Sequence, residues 1–258
     1  MRYGTLLSGR GASATDPVLG LFTGGYVGNY IDFRDLSTLF QDTAHTTPVT
    51  ATGQLIKAAK CKITGSYITV ASGMSVKLDQ VSGKYCAKSF SAPANTTQLM
   101  KGTIVPSGCG GDSPISLLID AELSSSNEGY PLVIGDTYAS AGTGNWDFIG
   151  NEDDGGGGHN CGGGQNGPGY GANMLGYQTG LQHLAFTRSV RDGTSTAWAR
   201  FYQGSTLQGT QPINSAANVT TLQLQIGVLA YSGQRFYRAI CINKEVSGAE
   251  WAAVLAAF

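Results

Sequence analysis

Charge is what this sequence has least of. Asp, Glu, Lys and Arg make up 13% of its 258 residues, against about 25% in an ordinary soluble domain. The 16 basic and 17 acidic side chains leave a net charge of −1, and the basic ones form no run. A nucleic-acid-binding face needs clustered cations to neutralise phosphates, so that partner is not expected. Long apolar runs are missing as well. A membrane helix needs about 18 or more consecutive apolar residues, and every apolar stretch here is far shorter, so membrane insertion is not expected either. The opening residues Met1 to Arg10 lack the apolar run of a signal peptide, which leads to the expectation that the chain leaves its cell by lysis or by a dedicated system. There is no Gly-x-Ser-x-Gly elbow for a serine nucleophile and no Cys-x-x-Cys spacing for a zinc ribbon or redox pair. The five cysteines, Cys61, Cys86, Cys109, Cys161 and Cys241, read mainly as small buried hydrophobes. A bridge between Cys61 and Cys86 stays open, since spacing alone does not decide it.

What is present is glycine and alternation. The 38 glycines crowd most densely between Gly155 and Gly169. Glycine has the most freedom to lose on ordering and no side chain to pack, so 151–173 is predicted to be a long irregular loop, a length of loop that is often functional. Elsewhere the pattern has period two. Ile115–Leu123 reads as a strand partly buried on both faces, while Thr221–Val228 and Phe236–Ile242 alternate. Further strands are predicted at 66–71, 74–78, 84–90, 130–135, 146–150, 182–189 and 197–203. Many short strands separated by turn residues indicate an all-β sandwich or barrel.

Helix signals are few. Ser247 and Glu250 have the spacing of a capping box, followed by Trp251, Val254, Leu255 and Phe258 on one face. A shorter turn is predicted at Asp35–Leu39, capped by Asp35. Residues 1–28 scatter Val18, Leu19, Leu21 and Phe22 among Gly, Ser and Thr, and are expected to be an extended arm or attachment segment preceding a domain at 29–258.

Two stretches resemble known families. Tyr30-Ile31-Asp32-Phe33-Arg34-Asp35-Leu36-Ser37-Thr38-Leu39-Phe40-Gln41-Asp42, continuing through Thr46-Thr47-Pro48-Val49-Thr50-Ala51 to Gly53, resembles a segment recurrent in tailed-phage virion proteins. That pattern usually has Gly where this chain has His45, which implies that the turn here does not need a positive φ. Gln182–Ser189, Ala199–Ser205, Leu224–Gly227 and Gly233–Ile242, followed by Val246-Ser247-Gly248-Ala249-Glu250, are similar in order and spacing to the closing strands of laminin-G-like domains. The resemblances imply a two-sheet antiparallel β-sandwich of the concanavalin A-like jelly-roll kind with a short C-terminal helix. They also imply a virion location, other virion proteins as partners and a homo-oligomer, taken as a trimer.

On such a scaffold three jobs compete: binding a host-surface glycan, decorating or cementing the particle without any ligand, and hydrolysing capsule or cell-wall glycan. Retaining glycosidases need two carboxyl groups about 5–5.5 Å apart. The Glu-x-Asp-x-x-Glu pattern that would place them on a strand is absent; Asp120 and Glu122 share a face, but the next acid is Glu128. The expectation is therefore a protein that is not an enzyme. For sugar binding, aromatic faces beside planar polar groups single out Asn145, Trp146 and Asp147, together with Asn166, Tyr170 and Asn173. Trp198 and Trp251 are assigned to the core or to helix docking. No cofactor is required by the pattern. Calcium alone is left open, because Asp136, Asn151, Asp153 and Asp154, with Glu152 between, gather hard oxygen donors near one expected loop edge.

Overall fold

The computed structural model describes residues 16–90, 98–102, 113–123, 129–135, 146–153, 159–166, 172–176, 179–189, 197–213, 223–228 and 232–258. In chain order its strands begin with β1 (Gly28–Asp32), β2 (Leu39–Phe40), β3 (Ala58–Lys60), β4 (Tyr67–Val70), β5 (Val76–Val81) and β6 (Lys84–Ser89). There follow β7 (Gln98–Gly102), β8 (Ile115–Leu123), β9 (Gly129–Gly135), β10 (Trp146–Asp153), β11 (His159–Asn166) and β12 (Ala172–Gly176). The last are β13 (Gly180–Arg188), β14 (Ala197–Gln203), β15 (Thr206–Ile213), β16 (Gln223–Val228) and β17 (Arg235–Ile242). Helices α1 (Pro17–Leu21) and α2 (Gly248–Ala256) flank them.

The strands form two antiparallel sheets. One runs β15-β14-β13-β8-β17-β6-β5, with β1 added along β17; the other runs β12-β11-β10-β9-β16-β7-β4-β3-β2. Alternation decides what lies between them. Leu117, Ile119, Phe186, Phe201 and Ala239 of the first sheet share one buried cluster with Ile68, Met100, Leu132, Ile134, Leu224 and Ile226 of the second. This is the two-sheet sandwich expected from the sequence. β1 lies so close to β17 that a Cβ at Gly28 would sit 1.9 Å from the Cys241 carbonyl oxygen; only glycine fits there.

The opposite face of the first sheet is also buried. Tyr30, Leu118, Ala185, Tyr202, Ile240 and Ile242 pack with Val18, Leu21, Val246, Trp251 and Val254 into a second cluster under the two helices. The described part of the N-terminal segment is therefore not extended throughout. Asp16 caps Val18 N at 3.0 Å, Pro17 occupies the first turn, and the short helix lays Val18 and Leu21 on the sheet. The capping box of α2 is present, with Ser247 Oγ accepting from Glu250 N and Glu250 Oε2 accepting from Ser247 N at 2.9 Å. The turn after Asp35 is a 3-10 turn, Leu36–Thr38, with Ser37 N donating to Asp35 at 3.1 Å.

Three expectations are corrected, and the Cys61–Cys86 pairing that was left open is decided. The glycine-rich stretch is not one irregular loop: β11 runs through Gly162–Gly164 and pairs with β10 over the whole of Trp146–Asp153, and with β12 on its other side. Ladder hydrogen bonds on both edges offset the ordering entropy that glycine pays. His45 has φ +61°, so this turn does take the left-handed conformation. Cys61 and Cys86 are free and buried. Cys61 Sγ instead accepts from Tyr30 N and Thr64 N, each at 3.4 Å, and burial pushes the Cys86 thiol up to about 12. Trp198 is 46% exposed, because its neighbour Ala199 takes the core side of β14; Trp251, on α2, is fully buried as expected of helix docking.

Candidate functional site

The outward side of the second sheet carries the site. On β4, Ile68 points into the core, so Tyr67 and Thr69 face away from it and are half-buried. Thr69 is paired with Lys101 of β7, and Lys101 in turn with Gln225 of β16. Gln223, two residues earlier on β16, therefore lies on the same side.

The 41–47 turn closes over this surface. Asp42 is its organiser: its carboxylate accepts from Thr46 N at 3.1 Å, Thr47 N at 2.7 Å and Thr46 Oγ1 at 3.2 Å. The Thr47 and Thr46 groups hold that carboxyl well below the usual range. Gln41 N donates to Thr47 O at 2.8 Å and ties off the turn. At its tip, His45 adopts the left-handed conformation, which costs a non-glycine residue roughly 1–2 kcal/mol. Its imidazole lies flat on the Tyr67 ring, centroids 3.4 Å apart and planes 4° apart, and Phe40 meets both rings edge-on at 5.8 Å. Such pairs contribute about 0.5–1.5 kcal/mol beyond the area they bury, enough to offset much of the strain. Strained residues held by their surroundings concentrate at functional sites.

Beside the stacked rings is a partly enclosed cavity of about 410 Å³, lined by Thr43, His45, Tyr67, Thr69, Lys101, Gly102 and Gln223. Two of its lining side chains carry a buried polar atom without a hydrogen-bond partner among the described residues: His45 Nε2 and Gln223 Oε1. A buried polar group left unpaired costs roughly 1–3 kcal/mol, and native proteins keep few of them. An aromatic wall, the hydroxyls of Thr43, Tyr67 and Thr69, two unpaired polar atoms and one ammonium make a surface able to hold a hydroxyl-rich ring of modest size.

Two other polar assemblies are held mainly by their own ion pairs, with Arg238 Nη1 left without a partner among the described residues. Under α2, Asp120 and Arg238 are fully buried and form an ion pair; His183 Nδ1 lies 2.6 Å from the other Asp120 oxygen, and Arg238 Nη2 donates to Val254 O of α2 at 3.1 Å. Glu122 pairs with Arg235 at 3.0 Å. At the other assembly Tyr30 donates to Asp32 at 2.7 Å and Arg34 grips both Asp32 oxygens at 2.8 and 3.0 Å, while Lys62 reaches Asp35 at 3.1 Å. Burial would raise the Asp32 carboxyl, but Arg34 and Tyr30 outweigh it and hold it below its usual range.

The residues singled out from sequence lie elsewhere. Trp146 and Asn166 are register partners across β10 and β11, with Asp147 next to Trp146, and Asn173 sits on β12 opposite Gly162. Asn145 and Tyr170 lie outside the described residues. Of the calcium candidates, Asn151 and Asp153 are on β10, paired with Cys161 and His159; Asp136 and Asp154 lie outside the described residues. Among the described residues no group of three or more His, Cys, Asp and Glu side chains is placed to hold a metal ion. Sequence reasoning missed Thr43, His45, Tyr67, Thr69, Lys101 and Gln223. The one signal available was a histidine standing where the resembling segment has glycine.

No protein-family profile and no curated protein matches the sequence. Solved structures share the fold. A GH54 α-L-arabinofuranosidase soaked with a cyclic sulfate inhibitor superposes with a TM-score of 0.53 at 13% identity, over 90% of this chain and 61% of its own. Domain 4 of AbnA, a GH43 extracellular arabinanase from Geobacillus stearothermophilus, in complex with arabinotriose, gives 0.50 at 13% identity, over 89% of this chain and 98% of its own. A mutant of Trypanosoma rangeli sialidase displaying trans-sialidase activity gives 0.50 at 10% identity, over 91% of this chain and 33% of its own. The β-sandwich is thus one shared with chains of carbohydrate-acting proteins. The expectation that the protein is not an enzyme is corrected by these likenesses: the sandwich occurs in glycoside hydrolase chains, so neither the fold nor a missing Glu-x-Asp-x-x-Glu strand excludes that chemistry. At 10 to 13% identity the likeness is one of fold.

Proposed function

We propose that this protein is a lectin-like β-sandwich that binds a host-surface glycan in the His45–Tyr67 cavity, carried as a component of a tailed-phage virion. The observation that carries the glycan reading is the pair of unpartnered atoms, His45 Nε2 and Gln223 Oε1, beside the stacked rings. A pyranose packs its C–H face on an aromatic wall and offers hydroxyls that both donate and accept, which satisfies an amide oxygen and an imidazole nitrogen together. The sugar-bound arabinanase domain that shares the fold adds support. The virion reading rests on the resemblance of the 30–54 segment, and that segment supplies Phe40, Thr43 and His45 to the site. A tail-tip or capsid position, association with other virion proteins and a homotrimeric assembly belong to the same proposal.

Screening the whole chain against immobilised host-surface glycans tests it. Wild type is expected to retain a defined set of glycans, and Tyr67→Ala to lose them by tenfold or more, on the order of one ring contact and its shape. A wild-type chain that retains no glycan, or a Tyr67→Ala variant that binds as well as wild type, overturns the reading. Mass spectrometry of purified particles tests the virion assignment separately.

A further inference from the structure

Charge is one-sided on the part of the second sheet beyond β10, the strand that carries Asp147, Glu152 and Asp153. Across the six neighbouring strands β9, β16, β7, β4, β3 and β2 there is no Asp or Glu, and the charged residues are Lys60 and Lys101. The other sheet is built differently. Its Asp32, Asp79, Asp120 and Glu122 each have an arginine partner. Lys101, exposed on the outward face, forms no ion pair with any described residue, yet it lines the cavity that holds the unpaired His45 and Gln223 atoms. Asp42, adjacent to Thr43 in sequence, turns its oxygens to Thr46 and Thr47 of its own turn.

We propose that the cavity selects an acidic sugar, with the Lys101 ammonium taking the carboxylate of a uronic-acid or sialic-acid residue while Gln223 and His45 take its hydroxyls. The proposal rests on the glycan-binding reading above and deepens it. An ammonium–carboxylate hydrogen bond is about twice as strong as a neutral one, and Asp42, the acid of the adjoining turn, gives its oxygens to Thr46 and Thr47 and not to Lys101. Lys60, the cross-strand partner of Tyr67, adds a second positive charge to that face. Neutral sugars meet the same ring wall and the same amide but leave Lys101 hydrated, so the discrimination arises at one residue.

The test uses the full chain and a panel of uronic- and sialic-acid oligosaccharides, each beside its carboxyl-reduced neutral counterpart. The expected result is a preference for the carboxylate form on the order of tenfold, weakened by added salt. Lys101→Gln should lose that preference, read as the ratio of acidic to neutral affinity within the variant, and Lys101→Arg should keep it. Lys101 is exposed, so both variants are expected to melt with wild type. If wild type binds reduced and acidic forms equally, or if Lys101→Gln keeps the preference, the acidic-sugar proposal falls and the glycan-binding reading stands. If no glycan of any charge binds, both fall together.

Discussion

His45 lies flat on Tyr67, 3.4 Å between ring centroids, from a backbone φ of +61°. The two facts belong together: the left-handed turn aims the imidazole at the sheet, and the stacking holds a conformation that the backbone alone disfavours.

Exchanging His45 separates these contributions. His45→Gly removes the strain, worth roughly 1–2 kcal/mol, and removes the ring contact, worth about 0.5–1.5 kcal/mol, so its stability should stay within about 1 kcal/mol of wild type. His45→Ala loses the ring and keeps the strain, and should be the less stable of the two. Both should lose glycan. Urea midpoints give the order, and an alanine variant more stable than the glycine variant would contradict the strain argument.

Asp120 and Arg238 make the reverse case, a buried pair that is costly only when broken. Asp120→Leu strands the Arg238 guanidinium in the apolar cluster under α2 and should cost about 3–5 kcal/mol. The double variant Asp120→Leu/Arg238→Met replaces both charges by apolar groups and should recover most of that loss. A double variant as unstable as the sum of the two single ones would sink this account.

The cap of α2 has a smaller, local effect. Ser247→Ala removes the acceptor for Glu250 N and should cost about 1 kcal/mol, with the loss seen first as faster hydrogen exchange in α2. Unchanged protection across Gly248–Ala256 would count against the capping box as a stabilising element.

Acid should unfold the protein through its paired carboxylates. Burial acts to raise Asp32, Asp79 and Glu250, but Arg34 outweighs it at Asp32, Arg235 at Asp79, and Lys244 with Ser247 at Glu250, so all three titrate below their usual range. A depressed folded pKa means stabilisation that is complete above the unfolded value, about 3.9 for Asp, and lost as pH falls through the folded one. The urea midpoint is expected to fall below about pH 4, less steeply in Asp32→Asn. A midpoint that holds unchanged to about pH 2 would contradict this.

Much of the fold was legible in the order of residues because its signals are local. Phe236–Ile242 alternates and lies in β17, Ser247 and Glu250 stand three apart and cap α2, and Asp35 caps its turn, since each depends on neighbours within one strand or one helical turn. The glycine-rich stretch was misread for the same reason. Nothing local makes His159–Asn166 a strand; β10 and β12 on its two sides do. The candidate site was not legible at all. Thr43, Tyr67, Lys101 and Gln223 come from a turn and three strands, and they meet only because β4, β7 and β16 are neighbours in one sheet. Sequence alone determined an all-β chain of short strands with a capped closing helix, through periodicity and caps, while its two-sheet form was implied by resemblance. Only the tertiary structure decided that a histidine in place of glycine would be folded onto a tyrosine and left with an unpaired nitrogen, because strain and stacking at one residue depend on what lies across the sheet.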